Sequence, residues 1–305
     1  MHPTQQTVAE AVKFEGKGLH TGTFSRIKIC PAPADSGIVF VRTDLETPVR
    51  IPAFAENVTS TARSTTISVG DVSVVTIEHI MSALTGLGID NAVIEIEGLE
   101  IPILDGSAKP YVEAIKAKDQ GVPRKMLELS EPVEIKYENT GAFVRIEPAE
   151  SFSFHLKVDF NSKVLGIQEA TYDESVDYAS EIAVCRTFVF FHEIEFLFKN
   201  NLIKGGDVDN AIVIVEHPVS DEQLSAIASL VGKPKINVTS EGYLDNLTLR
   251  FPNECGRHKL LDLIGDIRLA GGFPKAKITA FKPGHGINTT AAKAVRQLLK
   301  KKNND

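Results

Sequence analysis

The sequence predicts an α+β protein of two domains, on three observations. Its 305 residues are long for one hydrophobic core and comfortable for two. Strand-like and helix-like runs come in mixed order in both halves, unlike the regular alternation of a doubly wound sheet. The pattern breaks at Gly121-Val122-Pro123-Arg124 and restarts with strands. The expected domains are therefore residues 1–123 and 124–305.

The elements read in order as follows. Arg26–Cys30 alternates like a short strand and stops at Pro31-Ala32-Pro33; Gly37–Val41 reads as a more buried strand. The intervening Gly16-Lys17-Gly18-Leu19-His20-Thr21-Gly22 matches neither a dinucleotide fingerprint nor a P-loop. On spacing alone it is a turn that needs positive φ. Thr59–Thr66 is rich in hydroxyls and reads equally as a polar pocket lining or a solvated loop. Ile77, Ile80, Met81 and Leu84 have helical spacing behind Thr76, a candidate N-cap, and Gly86 and Gly88 end that helix. A buried strand at Asn91–Ile96 and a second helix over about Lys109–Lys118 follow. The second half offers strands at Val133–Tyr137, Phe143–Ile146, Phe152–Val158, Ala211–Val215 and Ala276–Phe281. The apolar run Arg186–Phe191 is expected to open a helix carrying His192, Glu193 and Glu195, before a turn at Asn200–Gly206. Pro218 to about Tyr243 reads as an inserted excursion with a helix at Glu222–Leu230. Pro283–Asn288 is expected to be a tight loop, and a last helix fades into Lys300-Lys301-Lys302.

Composition removes several classes of function. The apolar fraction of 43% and charged fraction of 24% are those of a globular protein. A net charge of −7 argues against nucleic acid as the main partner, because phosphate binding needs a basic excess. Local basic residues can still hold one phosphorylated ligand. Cys30, Cys185 and Cys255 are odd in number and form no C-x-x-C pair, which points to reduced thiols and a cytoplasmic location. The start Met1–Gln6 is polar and lacks the charged segment and apolar core expected of a leader, and no apolar run is long enough to span a bilayer. Any membrane contact is expected to be peripheral.

The chemistry is expected to centre on Arg257–Asp266. Leu260, Leu261, Leu263, Ile264 and Ile267 form a helical apolar stripe. On that helix His258 and Asp262 leave one face a turn apart, and Asp266 lies a further turn along. An imidazole and a carboxylate so placed suit a zinc site, with the second carboxylate orienting its neighbours. Most of the eight histidines need no such role: His2 is in a loose terminus, His155 and His192 lie among aromatics, and His217 precedes a proline.

Two other histidines have polar company. His79 follows Glu78 in the first turn of the expected helix. With His79 as a third ligand, Glu78 is placed to take a proton from an attacking water. From the pair alone, a glutamate favoured by the helix macrodipole is the simpler reading. His285, between Gly284 and Gly286, can project into a cleft, and Asp266 as partner favours its imidazolium form. It then suits oxyanion stabilisation or protonation of a leaving amine. Lys259 adds a second positive charge.

Taken together, these motifs decide between the readings. Gly16–Gly22, Thr76-Ile77-Glu78-His79, Leu87-Gly88-Ile89-Asp90-Asn91, Ile101–Ser107, Arg186-Thr187-Phe188, Arg257–Asp266 and Gly284–Asn288 occur in this order along nearly the whole chain. In this the chain resembles the zinc-dependent UDP-3-O-acyl-N-acetylglucosamine deacetylases of lipid A biosynthesis. The resemblance implies two similar domains, each a sheet packed on helices, with zinc at their interface. It implies zinc held by His79, His258 and Asp262, Glu78 as general base, and His285 as cationic partner held by Asp266. Thr187 and Lys259 would contact the reacting amide or sugar, His20 would lie in the nucleotide–sugar site, and Phe188 and Phe190 would border an acyl-chain passage. The implied substrate is an acylated UDP-sugar, with some family members fused to a downstream dehydratase.

Two departures stand out. Val189 occupies a position where the family usually has glycine, which could stiffen or narrow the passage. The excursion at 218–243 is longer than is usual. A zinc amidase for another acylated substrate and a non-catalytic sugar-nucleotide binder are the competing readings. The intact set of Glu78, His79, His258, Asp262 and His285 argues against the binder, which needs no general base.

Overall fold

The computed structural model describes residues 2–194 and 210–302, apart from 231, 233 and 246. Glu195 and the expected turn at 200–206 lie outside the described residues.

Two five-stranded sheets dominate the chain. The first has the spatial order Val12–Lys17, Phe24–Pro31, Ala92–Glu97, Ile38–Arg42, Val49–Pro52. The second runs Val133–Tyr137, Ala142–Pro148, Ala276–Phe281, Ser153–Asp159, Ile167–Asp173. Each has one parallel contact, between its third and fourth strands in space, and is otherwise antiparallel. The last strand in sequence fills the centre both times. In each repeat a helix precedes that central strand, Glu78–Gly86 in the first and Glu254–Ile267 in the second. A further helix follows it, Lys109–Ala114 and His285–Lys302 respectively. The α+β expectation is met, and the chain is a topological duplication.

The strands alternate between a buried and an exposed face, as at Ser153–Asp159, where Phe154, Leu156 and Val158 point inward. One apolar cluster runs from Ile27, Phe40 and Ile94 through Ile80, Leu84, Leu261 and Ile264 to Val144, Leu156 and Ile278. The two repeats therefore share a continuous core through their helices. Their helices approach closely at Gly265, whose missing Cβ would lie 2.2 Å from the carbonyl oxygen of Glu78. Glycine there lets the corresponding helices of the two repeats meet backbone to backbone.

Several local expectations are corrected. The second helix stops at Ala114, and Ala117–Pro123 is a strand paired antiparallel with Thr4–Val8. Thr76 does not cap its helix: Ile77 is the capping residue. Thr76 has φ 61°, and its hydroxyl donates to Glu100 at 2.8 Å. Phe188–Phe190 is a strand paired in parallel with Ile212–Ile214, and helix begins only at 191. His285 opens the last helix instead of lying in a loop. In the glycine-spaced loop only Gly22, at φ 67°, has positive φ. Gly18 is needed for space, because its Cβ would overlap the buried Glu100 carboxylate, which accepts the His20 and Thr21 amides.

Candidate metal centre

The crossing at Gly265 brings the two candidate segments together. His79, His258 and Asp262 are all buried, and each offers a ligand atom within 4.8 Å of the others. The His79 and His258 Nε2 atoms lie 3.7 and 3.5 Å from Asp262 Oδ1. Their rings are nearly perpendicular, with centroids 5.0 Å apart. His258 Nδ1 lies 3.1 Å from the Cys185 carbonyl, so it carries the proton there and leaves Nε2 free as a ligand. Asp262 Oδ2 accepts from Lys259 Nζ at 2.8 Å, whereas the buried Oδ1 has no hydrogen-bond partner. An unsatisfied buried carboxylate oxygen is costly. Two neutral imidazoles and this oxygen fit a divalent cation with nitrogen and oxygen preference.

Charge is tuned in the same sense. Burial pushes His79 down to about 3, aided by His258, and burial also lowers His258. Both are therefore neutral and available to a metal. Burial opposes ionisation of Asp262, but nearby positive charge, Lys259 foremost, outweighs it and holds the carboxyl below the usual range.

A second group adjoins the first. Asp266 Oδ2 accepts from His285 Nδ1 at 2.9 Å and from Asn288 Nδ2 at 3.0 Å. Its Oδ1 accepts the Thr65 hydroxyl at 2.6 Å. The Thr65 amide donates to Glu78 Oε2 at 3.0 Å, while Glu78 Oε1 faces His285 Nε2 at 3.9 Å. Burial would lower His285, but Asp266 and Glu78 raise it to about 9. Glu78 is raised to about 7 by burial, with Asp262 and Asp266 adding to that and His285 opposing it. A poised carboxylate and an imidazolium thus flank the three candidate ligands. Such a pair suits proton transfer in both directions.

Thr65 and Asn288 are the residues that sequence reasoning did not assign. The Thr59–Thr66 run does reach this site, but its composition gives no way to choose Thr65 from the five other hydroxyl residues in it. A buried pair, Arg186 Nε to Glu254 Oε1 at 2.9 Å, was also unseen. It ties the segment bearing Cys185 to the start of the His258 helix.

The remaining expected residues distribute around this centre. The Phe188 ring lies 6.3 Å from that of His258 and 5.5 Å from Lys259 Nζ, and Phe190 lies beside it at 6.5 Å. Thr187 precedes Phe188, its amide donating to the Gly106 carbonyl at 2.8 Å. His20 is lowered by burial, with Glu100 opposing and Arg63 and His285 contributing. Val189 does not share the face of Phe188 and Phe190: it packs with Val213, Val215 and Ile227 on the other side of the strand. It therefore does not narrow the aromatic face directly.

A duplicated α+β chain whose paired helices converge two histidines and an aspartate, beside a carboxylate and an imidazolium, defines a class with a candidate hydrolytic metal centre. Residues 5–231 and 233–297 match the model of the UDP-3-O-acyl N-acetylglycosamine deacetylase family, and the chain belongs to that family. It is 42% identical over 299 residues to the bifunctional enzyme LpxC/FabZ of Porphyromonas gingivalis, covering 97% of this chain and 65% of that protein. The UDP-3-O-acyl-N-acetylglucosamine deacetylase of Teredinibacter turnerae is 38% identical, covering 97% of this chain and 90% of the relative. That of Trichormus variabilis is 38% identical, covering 96% and 99%. The chain thus spans just under two thirds of the bifunctional relatives it matches. Among the described residues no helix is long and apolar enough to cross a membrane.

Proposed function

We propose that this chain hydrolyses the 2-acetamido group of UDP-3-O-(3-hydroxyacyl)-N-acetylglucosamine, releasing acetate and the free amine in lipid A biosynthesis. The observation that carries the reading is the buried triangle of His79, His258 and Asp262 with Glu78 and His285 beside it. Family membership supplies the substrate class.

In this reading His79, His258 and Asp262 hold one zinc ion. When bound, zinc supplies Lewis acidity, making a water more acidic and polarising the amide carbonyl. Glu78 acts as general base: the Thr65 amide anchors Oε2 and leaves Oε1 to take the proton of the attacking water. His285, kept cationic by Asp266, stabilises the oxyanion and then protonates the departing amine through Nε2. Lys259, oriented by Asp262, and Thr187 contact the amide or sugar. His20 belongs to the nucleotide–sugar site, and Phe188 and Phe190 border the acyl passage.

Residues 1–123 and 124–305 are the proposed domains, with zinc between them. A cytoplasmic location, at most peripheral membrane contact, and a dehydratase partner like that named in the bifunctional relatives complete the proposal.

The test pairs metal analysis with acetate release from the acylated UDP-sugar. About one zinc per chain and chelation-sensitive release support the reading. Release that survives complete metal removal would sink it.

A further inference from the structure

The excursion that begins at Pro218 is built onto the back of the strand pair Phe188–Phe190 and Ile212–Ile214. The parallel register Phe188↔Ile212, Val189↔Val213, Phe190↔Ile214 sends alternate side chains to opposite faces. Phe188, Phe190, Ile212 and Ile214 belong to a front cluster with Leu165 and Phe160. Val189 and Val213 belong to a separate rear cluster with Phe191, Ile227, Ile236 and Leu244. Ile227 lies on the excursion's helix Asp221–Leu230, and Ile236 lies in its return limb. That limb is also hydrogen-bonded to the strand: Val215 N donates to the Gly242 carbonyl at 2.8 Å and Leu244 N to the Val213 carbonyl at 3.1 Å.

Two paired strands of three residues have little stability of their own and take their position from what packs on them. The front face carries Phe188, which touches the surroundings of His258 and Lys259. The rear face is closed by the excursion, and Val189 is where the strand next to the site meets it. A glycine at this position would offer no side chain to that cluster and would loosen the backbone.

We propose that the excursion and Val189 form one positioning device that fixes the Phe188–Phe190 face and thereby sets the acyl lengths this chain accepts. The proposal rests on the deacetylase reading given above. Val189 and Ile227 are positioning residues: they act through the aromatic face and touch neither the reacting amide nor the candidate ligands.

The experiment measures kcat and KM of the full chain on UDP-sugars of graded acyl length, for wild type, Val189→Gly, Ile227→Ala and Val189→Ile. Zinc content and Tm are recorded for each. The two loosening variants are expected to raise KM for whichever longer acyl length wild type prefers by about tenfold, the scale of one or two apolar contacts. Their kcat, zinc content and KM for the shortest substrate should match wild type, so that discrimination by length flattens. Val189→Ile should retain the wild-type profile. An unchanged length profile in an active Val189→Gly enzyme overturns the proposal. So does an equal loss at every length accompanied by lower Tm, which would mark a purely structural role. If wild type itself releases no acetate from any of the substrates, the deacetylase reading has failed instead.

Discussion

Gly265 and Glu78 touch through their backbones, at a separation that leaves no room for a side chain on Gly265. This contact joins the equivalent helices of the two repeats and sets His79 opposite His258 and Asp262. Gly265→Ala is therefore expected to force the helices apart. Overpacking of this kind costs about 1–3 kcal/mol, and the larger effect should be on metal content. Metal analysis of the purified variant should show substoichiometric zinc; full occupancy with wild-type affinity would mean that the crossing does not set the site.

Glu78→Gln keeps the shape of the side chain and removes the base. Zinc content is expected to stay at the wild-type level while kcat falls by about 10²–10⁴-fold, the range of a positioned general base. Near-normal turnover would remove Glu78 from that role.

Activity should follow a bell-shaped pH profile. Glu78 must be deprotonated, and it sits at about 7 even with His285 beside it; a bound metal moves this limb to lower pH. His285 must be protonated, so activity should fall as pH rises through about 9. Asp266→Asn takes away the charge that raises His285, and the alkaline limb should move toward neutrality. An unmoved limb would contradict the His285 assignment.

The same pair links stability to pH. His285 has a folded-state value above its ordinary 6.5, so folding favours its protonated form. Its contribution is full below about 6.5 and is lost as pH rises through about 9. Denaturant unfolding at pH 6 and pH 10 should show a larger loss of stability for wild type than for His285→Ala.

Arg186 and Glu254 form an ion pair that is almost wholly buried. Removing one partner leaves an uncompensated charge, and Glu254→Gln is expected to cost about 3–5 kcal/mol. Unfolding midpoints measure this directly. A change below about 1 kcal/mol would indicate that the pair is solvated in solution.

The legible parts of this protein were those that local spacing encodes. His258 and Asp262 share a helical face, and the helix, its apolar stripe and the Asp266 position all follow from period alone. His79 is far away in sequence, and only the motif resemblance connected it with them. The duplication stayed hidden because each sheet is closed by a late strand, Ala92–Glu97 or Ala276–Phe281, inserted between earlier ones. Such pairing has no local signature. Ala117–Pro123 was read as helix and linker because its partner is the N-terminal strand Thr4–Val8, which no nearby residue announces. Thr76 has the composition of a cap, but its φ is positive and its hydroxyl binds the distant Glu100, which local sequence does not encode. Thr65 and Asn288 escaped notice for the same reason: their importance lies in which carboxylate they reach, and folding alone decides that.

The central claim is that His79, His258 and Asp262 hold a zinc ion required for amide hydrolysis. Its most direct test is acetate release from UDP-3-O-(3-hydroxyacyl)-N-acetylglucosamine, followed with metal content during chelation and readdition of zinc. About one zinc per chain is expected, with loss of release in step with loss of metal and recovery of both when zinc returns. Release that continues at the wild-type rate from fully metal-free protein would contradict it.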